Sequence, residues 1–137
     1  GISKCDVLKI SDDEIQFLTG EKDIDAGVHK IFEKYEPALF CATKGKNGST
    51  AYYKGKSFFA DAFVRKDTVE TTGAGDTFMA CILNSVLEKG LDNLTKSDVS
   101  SMLEFASAAS SIITTKKGAL KVMPQRNDVI SFLNNYK

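Results

Sequence analysis

The chain has 137 residues, a mass of 14.9 kDa and no net charge, because 18 lysine and arginine residues balance 18 aspartate and glutamate residues. This length favours one domain or part of one. The charge balance argues against a nucleic-acid partner or an anionic membrane surface, since both need a basic excess. Apolar runs are far shorter than the roughly 18 residues of a membrane span, and the N-terminus does not have the pattern of a signal peptide. We therefore expect a cytoplasmic protein.

The cysteines and the single histidine argue against a zinc site and a histidine-based catalytic triad. Cys5, Cys41 and Cys81 are far apart in the sequence, which favours reduced thiols buried as small apolar side chains. His29 is the single histidine, and one histidine supplies neither a zinc site nor a histidine-based catalytic triad. We expect neither site in this chain.

The chain opens with a predicted strand and a short helix. Residues 5–10 read as a strand, Ser11 follows it, and Glu14 lies three residues further on, which is the spacing of a capping box. Gly20 should end the helix, because glycine readily adopts the left-handed conformation that closes helices. The helix is therefore predicted to run from Ser11 through Leu18.

A second helix and a buried strand follow. Residues 25–35 carry apolar side chains on one helical face, namely Val28, Ile31, Phe32 and Tyr35. Residues 38–42 are a continuous apolar run, which is typical of a strand covered on both faces in a parallel sheet. The order strand, helix, helix, strand predicts a crossover between two parallel strands.

The middle of the chain predicts a hairpin and a long helix. Residues 49–53 and 56–61 flank Lys54 and Gly55, which favours an antiparallel hairpin. A helix should follow Asp76 and end near Gly90. Its apolar stripe is wide and consists of Phe78, Met79, Ile82, Leu83, Val86 and Leu87.

Two further helices complete the predicted elements. Thr95 and Asp98 are suited to cap a helix with Val99, Met102, Leu103, Ala106, Ala109 and Ile113 turned inward. The last helix covers residues 128–136, with Val129, Phe132, Leu133 and Tyr136 inward. These elements predict an α/β protein. A sheet this small would have exposed edges, so we expect the chain to be part of something larger.

Residues 71–76, Thr-Thr-Gly-Ala-Gly-Asp, form a loop of small residues that enters the long helix. The first backbone N–H groups of a helix have no intrahelical partner and carry partial positive charge. Small side chains let an anion approach them, so the loop predicts a phosphate site. Asp76 would repel a phosphate, but it could remove a proton from an attacking hydroxyl group. Alternatively, Asp76 only complements the helix dipole and the glycines only turn the chain.

Other well-known nucleotide and hydrolase motifs do not occur in the sequence. It contains no Gly-x-x-x-x-Gly-Lys-Ser/Thr, which excludes a P-loop, and no Gly-x-Ser-x-Gly nucleophile elbow. Phe78 stands where a dinucleotide fingerprint beginning at Gly73 requires Gly or Ala.

Residues 70–78, Glu-Thr-Thr-Gly-Ala-Gly-Asp-Thr-Phe, resemble the C-terminal signature of the ribokinase-like (PfkB) carbohydrate kinases, Asp-Thr-x-Gly-Ala-Gly-Asp-x-Phe. Four more segments resemble this family in the same order along the chain. They are residues 6–14, in a Lys-x-Ser form associated with fructokinases, residues 17–20, residues 43–48 (Thr-Lys-Gly-Lys-Asn-Gly) and residues 114–119 (Thr-Thr-Lys-Lys-Gly-Ala).

The resemblance implies a fold, a domain and an activity. The fold would be the C-terminal part of a ribokinase-like three-layer αβα fold, with parallel strands plus an antiparallel hairpin. Residues 1–137 would be the nucleotide-binding and catalytic C-terminal portion of a sugar kinase, without the N-terminal sugar-binding part and the lid, and inactive alone. The activity would be ATP-dependent phosphorylation of fructose to fructose 6-phosphate. Alternatives are a kinase for another small alcohol (ribose, 2-keto-3-deoxygluconate or a nucleoside) and a non-catalytic nucleotide-binding module.

The resemblance also implies roles for residues of the glycine loop and of the metal site. Asp76 would be the catalytic base, and the backbone N–H groups of Gly73, Ala74 and Gly75 would form an anion hole with it. Glu14 would act on Mg²⁺ through water, unless it serves only the capping box. Glu70 replaces the usual Asp of a monovalent-cation site, which would bind K⁺.

The same resemblance assigns a nucleotide site and partners. Thr43, Gly45 and Gly48 would line the ATP phosphates and ribose. Ser107, Ala108 and Ser111 would lie near the adenine, unless they only pack their helix. The implied partners are ATP and a small sugar, with no nucleic acid and no membrane, and the family includes homodimers, which leaves a dimer of the full-length protein open.

Overall fold

The structure, a computed structural model, describes residues 6–63, 73–113 and 126–136. In chain order, the strands and α-helices of these residues are β1 (Val7–Ser11), α1 (Asp12–Thr19), α2 (Ile24–Tyr35), β2 (Leu39–Thr43), β3 (Ser49–Tyr53), β4 (Lys56–Ala60), α3 (Ala74–Lys89), α4 (Lys96–Ile113) and α5 (Arg126–Tyr136).

The four strands form one mixed sheet in the order β1-β2-β3-β4. β1 and β2 are parallel, whereas β3 is antiparallel to both β2 and β4. The register aligns Ser11 of β1 with Thr43 of β2, and Thr43 with Ser49 of β3. These three residues therefore stand side by side at the end of the sheet where the two parallel strands finish. The predicted crossover and hairpin are both confirmed.

Helices cover both faces of the sheet. In β2, Phe40 and Ala42 pack on the side of α1 and α2, whereas Leu39 and Cys41 pack on the side of α3 and α4. All four side chains are fully buried. Burial on both faces is why this strand is a continuous apolar run rather than an alternating one. The predicted three-layer αβα arrangement is confirmed.

Two helices begin with the capping boxes that the sequence predicts. The Glu14 N–H donates to the Ser11 hydroxyl over 3.3 Å, and the Ser11 N–H donates to the Glu14 carboxylate over 2.8 Å. At α4, the Asp98 N–H donates to the Thr95 hydroxyl over 3.1 Å, and the Thr95 N–H donates to the Asp98 carboxylate over 3.0 Å. Gly20 ends α1 in the left-handed conformation, with φ of 74°. Each pair satisfies backbone donors that a helix start leaves unpaired.

The predicted apolar stripe of α3 is too wide. Phe78 and Ile82 are buried, but Leu83 is 41% exposed and Leu87 is 84% exposed. Consecutive residues of a helix are turned by about 100°, so the face that packs against α4 and the sheet does not extend to these two leucines. The apolar pattern alone could not show where this contact ends.

Some predictions differ in their boundaries or fall outside the described residues. α5 begins at Arg126, two residues before the predicted start, and its Val129 is buried. Cys41 is buried as predicted, whereas Cys81 is partly exposed. The structure does not describe Cys5, Glu70, residues 71–72, residues 114–125 or the Tyr136 side chain. Among the described helices, none has the length and apolar character that a membrane crossing requires.

Candidate active site

A cavity of about 460 Å³ opens at the end of the sheet where β1 and β2 finish. Ligands of open α/β sheets bind at the carboxyl ends of the parallel strands, and the volume is in the range of small-molecule sites. The walls come from these strand ends, the loop between β2 and β3, the start of α3 and the middle of α4. The lining residues are Lys9, Ser11, Asp12, Thr43, Gly45, Lys46, Gly48, Ser49, Ala62, Phe63, Ala74, Gly75, Phe78, Ser107, Ser110 and Ser111.

The N-terminus of α3 reaches this cavity without a side-chain cap. Gly73 precedes the helix in the left-handed conformation, with φ of 86°, and the first backbone bond of the helix runs from the Thr77 N–H to the Gly73 carbonyl over 2.9 Å. The N–H groups of Ala74, Gly75 and Asp76 lie before that bond and have no intrahelical acceptor. Ala74 and Gly75 line the cavity. The start of a helix of 16 residues therefore offers unpaired donors and partial positive charge to an anion.

Asp76 and Gly73 lie beside the cavity rather than in its wall. Asp76 is in the first turn of α3 with an exposed side chain, and neither residue is among those that line the cavity. In this position the Asp76 carboxylate could remove a proton from a hydroxyl group bound at the cavity mouth. The same position lets the Asp76 carboxylate complement the dipole of α3.

The loop after β2 forms the opposite wall. Thr43, Gly45 and Gly48 all line the cavity, and the Lys44 N–H closes the loop by donating to the Gly48 carbonyl over 2.8 Å. Gly48 has φ of 90°, and a Cβ placed on it would lie 2.5 Å from the Ala60 carbonyl oxygen. A side chain at position 48 would therefore collide with β4. The loop can follow its path only with glycine there.

The helix α4 contributes serines but not Ala108. Ser107 and Ser111 line the cavity, and their hydroxyl groups hydrogen-bond to the Ser49 hydroxyl, over 3.3 Å, and to the Phe63 carbonyl. Ala108 is fully buried between α4 and α5, in a cluster with Val129. Residues four apart share a helical face, whereas the next residue is turned by about 100°. Ala108 therefore does not line the cavity with the two serines, and its place near the adenine stays a prediction.

The cavity also contains residues that the sequence analysis did not single out. Lys9 and Lys46 bring positive charge to the lining, and the aromatic ring of Phe63 belongs to it as well. The Ser110 hydroxyl lies 2.9 Å from the carbonyl oxygens of both Ala74 and Ala106, so it can donate to either. The sequence does contain a pattern that indicates where the Lys9 side chain points. Its neighbours in β1 are apolar, and alternation directs Lys9 to the other face of the sheet.

Glu14 is held by its own helix start. The hydrogen bond from the Ser11 backbone N–H lowers the pKa of Glu14, partial burial opposes this shift, and the Ser11 hydroxyl and the charge of Lys9 lower the pKa further. Glu14 lines a shallower surface pocket beside the main cavity. Within the described residues, no three His, Cys, Asp or Glu side chains are grouped to hold a metal ion. A single carboxylate still suits Mg²⁺ bound mainly by phosphates and water.

Comparison with known proteins gives this site a family. The family model of the pfkB family carbohydrate kinases matches residues 1–126. The chain belongs to this family. The resemblance expected from the five sequence segments is thereby confirmed.

Relatives within the family include fructokinases. The chain is 36% identical over 130 residues to "Probable fructokinase-2" of Arabidopsis thaliana, covering 95% of the chain and 39% of the relative. It is 33% identical over 131 residues to a fructokinase of Klebsiella pneumoniae, covering 93% of the chain and 41% of the relative. The chain thus spans about two fifths of the length of these kinases.

A crystal structure of fructokinase from Vibrio cholerae O395, in a form with fructose, ADP and calcium ion bound, has a similar fold. Its TM-score to this chain is 0.86 at 26% sequence identity, covering 96% of this chain and 42% of that one. The predicted ribokinase-like fold is therefore confirmed.

Proposed function

We propose that this chain is the nucleotide-binding and catalytic portion of a kinase that transfers the γ-phosphoryl group of ATP to a sugar hydroxyl group. The observation that carries the proposal is the uncapped N-terminus of α3, which opens into the cavity at the strand ends of a pfkB-family chain. The sugar is proposed to be fructose, phosphorylated at its 6-hydroxyl, since the relatives described above are named fructokinases.

The cavity walls suggest how ATP would lie. The adenine would lie beside Ser107 and Ser111, and the loop of Thr43, Gly45 and Gly48 would line the ribose and the phosphates. The phosphates would then extend towards the start of α3. Small side chains and glycines line this path, so the backbone can approach the nucleotide closely.

The chemistry would depend on preorganised backbone donors. During transfer, the bond between the γ-phosphorus and the β–γ bridging oxygen breaks, a bond from the sugar oxygen to the γ-phosphorus forms, and ADP leaves. The N–H groups of Ala74, Gly75 and Asp76 would stabilise the charge on the transferred phosphoryl oxygens. The Asp76 carboxylate would accept the proton of the sugar hydroxyl group.

Cations would assist at two positions. Mg²⁺, when bound, neutralises charge on the nucleotide phosphates. Glu14 would hold it through water, using the carboxylate that also caps α1. Glu70, the proposed side chain for K⁺, lies outside the described residues.

The decisive experiment replaces the proposed base in the intact protein. Asp76→Asn should lower the turnover number by roughly 10²–10⁴-fold and leave the affinity for Mg-ATP unchanged. Asp25→Asn, in the first turn of α2 on the opposite face of the sheet, is the matched control and should keep full turnover. Coupled assays with fructose and calorimetry with Mg-ATP measure both quantities. Near-normal turnover of Asp76→Asn would contradict the assignment of the base.

A panel of acceptors tests the other candidate functions in the same assay. Faster turnover with ribose, 2-keto-3-deoxygluconate or a nucleoside than with fructose would replace the proposed substrate. Binding of Mg-ATP without phosphorylation of any acceptor would favour a non-catalytic nucleotide-binding module. A homodimer remains a prediction from the family resemblance, and a cytoplasmic location remains a prediction from the sequence.

A further inference from the structure

We propose that Lys9 binds the phosphoryl group in transit, as a side-chain partner of the α3 backbone donors. The inference rests on the proposed phosphoryl transfer and adds a residue to it. It follows from the position of Lys9 in the sheet, from its approach to Gly75 and from the charges around both.

The strand β1 directs Lys9 towards α3. Leu8 and Ile10, its two neighbours, pack on the side of α1 and α2. Successive side chains of a strand point to opposite faces, so Lys9 projects to the side of α3 and α4. The Lys9 side chain is partly buried and lines the main cavity.

The Lys9 ammonium group lies against the start of α3. A Cβ placed on Gly75 would come within 2.9 Å of Lys9 Nζ and within 3.8 Å of Lys9 Cε. Gly75 therefore leaves the space that the end of the lysine side chain occupies. In this arrangement, the ammonium group stands beside the backbone donors of Ala74 and Gly75, in the wall of the same cavity.

The charges at this place favour an anion. Cations stabilise the C-terminus of a helix and are unfavourable at its N-terminus, where the macrodipole is positive. Over the part of the chain that the structure describes, no carboxylate oxygen lies within 4 Å of Lys9 Nζ, although the Lys9 charge acts on Glu14 and Asp12 lines the same cavity. The ammonium and the unpaired N–H groups therefore add their positive potential in one cavity. A phosphoryl group placed between them would satisfy both.

Lys9 would act by charge and hydrogen bonding, not by proton transfer. Its ammonium group would donate to a non-bridging oxygen of the γ-phosphoryl group while the bond to ADP breaks and the bond to the sugar oxygen forms. The sugar proton goes to Asp76, and Lys9 keeps its own protons throughout. A lysine is suited to this role because it presents a mobile point charge.

The test compares Lys9→Met with Lys9→Arg and Lys56→Met in the intact protein. Methionine keeps the apolar stem without the charge, arginine keeps the charge, and Lys56 is an exposed lysine on β4 that serves as control. Since hydrogen bonds to charged groups contribute about 1.5–3 kcal/mol, Lys9→Met should lower kcat/KM for ATP about 10- to 150-fold. Lys9→Arg should recover part of the loss, and Lys56→Met should match the wild type.

Binding measurements separate a phosphate contact from a structural role. Calorimetry should show that Lys9→Met weakens Mg-ATP binding at least about tenfold while adenosine binding stays within about twofold. Equal losses for adenosine and Mg-ATP, or no loss for either, would overturn the proposal for Lys9. A wild-type protein that phosphorylates no sugar would refute the proposed function instead, and the two binding constants would still test Lys9. Circular dichroism checks that each variant is folded, with Lys9→Gln as a second uncharged replacement.

Discussion

Gly48 offers a test of how the loop after β2 supports the cavity. Gly48→Ala would impose two separate costs. The residue has φ of 90° and ψ of −161°, a conformation adopted almost only by glycine. The new Cβ would also lie 2.5 Å from the Ala60 carbonyl oxygen and 2.8 Å from the Phe59 ring. The carbonyl cannot simply move away, because Ala60 is paired with Ser49 in the sheet.

The expected magnitude follows from these two terms. Holding a non-glycine residue in this conformation costs about 1–3 kcal/mol, and overpacking against an immobile group costs about 1–3 kcal/mol more. We therefore expect Gly48→Ala to lower the free energy of unfolding by about 2–6 kcal/mol. Gly55→Ala is the matched control, since Gly55 has φ of 75° but no neighbouring atom within 4 Å of the added Cβ. It should lose only the conformational term, about 1–2 kcal/mol.

Urea unfolding followed by far-ultraviolet circular dichroism measures both losses in the intact protein. Gly48→Ala should in addition weaken Mg-ATP binding, because Gly48 lines the cavity, whereas Gly55→Ala should not. Equal losses of unfolding free energy in the two variants would show that the collision with β4 is relieved at no cost. The steric argument for Gly48 would then be refuted.

Two further predictions concern titratable groups. The Thr95 backbone N–H, the Lys89 ammonium and the Thr95 hydroxyl lower the pKa of Asp98 below its ordinary value of 3.8. The Asp98 carboxylate therefore stabilises the fold above about pH 4 and loses this effect as the pH falls through the lowered pKa. In urea titrations, Asp98→Asn should lower the free energy of unfolding more at about pH 7 than at about pH 2, and a loss independent of pH would contradict this. Burial raises the pKa of the Cys41 thiol to about 12. Iodoacetamide at about pH 8 should therefore modify the partly exposed Cys81 first, and Cys41 should be labelled only when the protein unfolds. Equal labelling rates of the two cysteines in peptide mass spectra would disprove this prediction.

Local sequence rules predicted most of the fold because the relevant interactions are between near neighbours. The capping boxes of Ser11 with Glu14 and of Thr95 with Asp98 each join residues three apart, and both are present. The hairpin turn at Gly55 was likewise set by a local conformation. The continuous apolar run of β2 predicted a strand between two layers, since few other environments bury every side chain of a strand.

The features that sequence reasoning missed depend on contacts between distant segments. Leu83 and Leu87 follow the apolar pattern of α3, but the pattern does not contain the position of α4. Ala108 is next to Ser107 in sequence, yet it packs towards α5. Lys9 is an ordinary strand lysine until the sheet brings it against Gly75, 66 positions along the numbering.

The hydrogen bond between Ser110 and the Ala74 carbonyl has a consequence for the geometry of the anion site. A peptide unit is planar and trans. The Ala74 C=O and the Gly75 N–H belong to the same rigid peptide unit and point in opposite directions. When Ser110 of α4 holds the oxygen, over 2.9 Å, it also sets the direction of that N–H. Hydrogen bonding at the Ala74 oxygen polarises this peptide unit and strengthens the Gly75 N–H as a donor. A hydroxyl group that need not touch the nucleotide can thus determine how well the backbone of the neighbouring helix receives it.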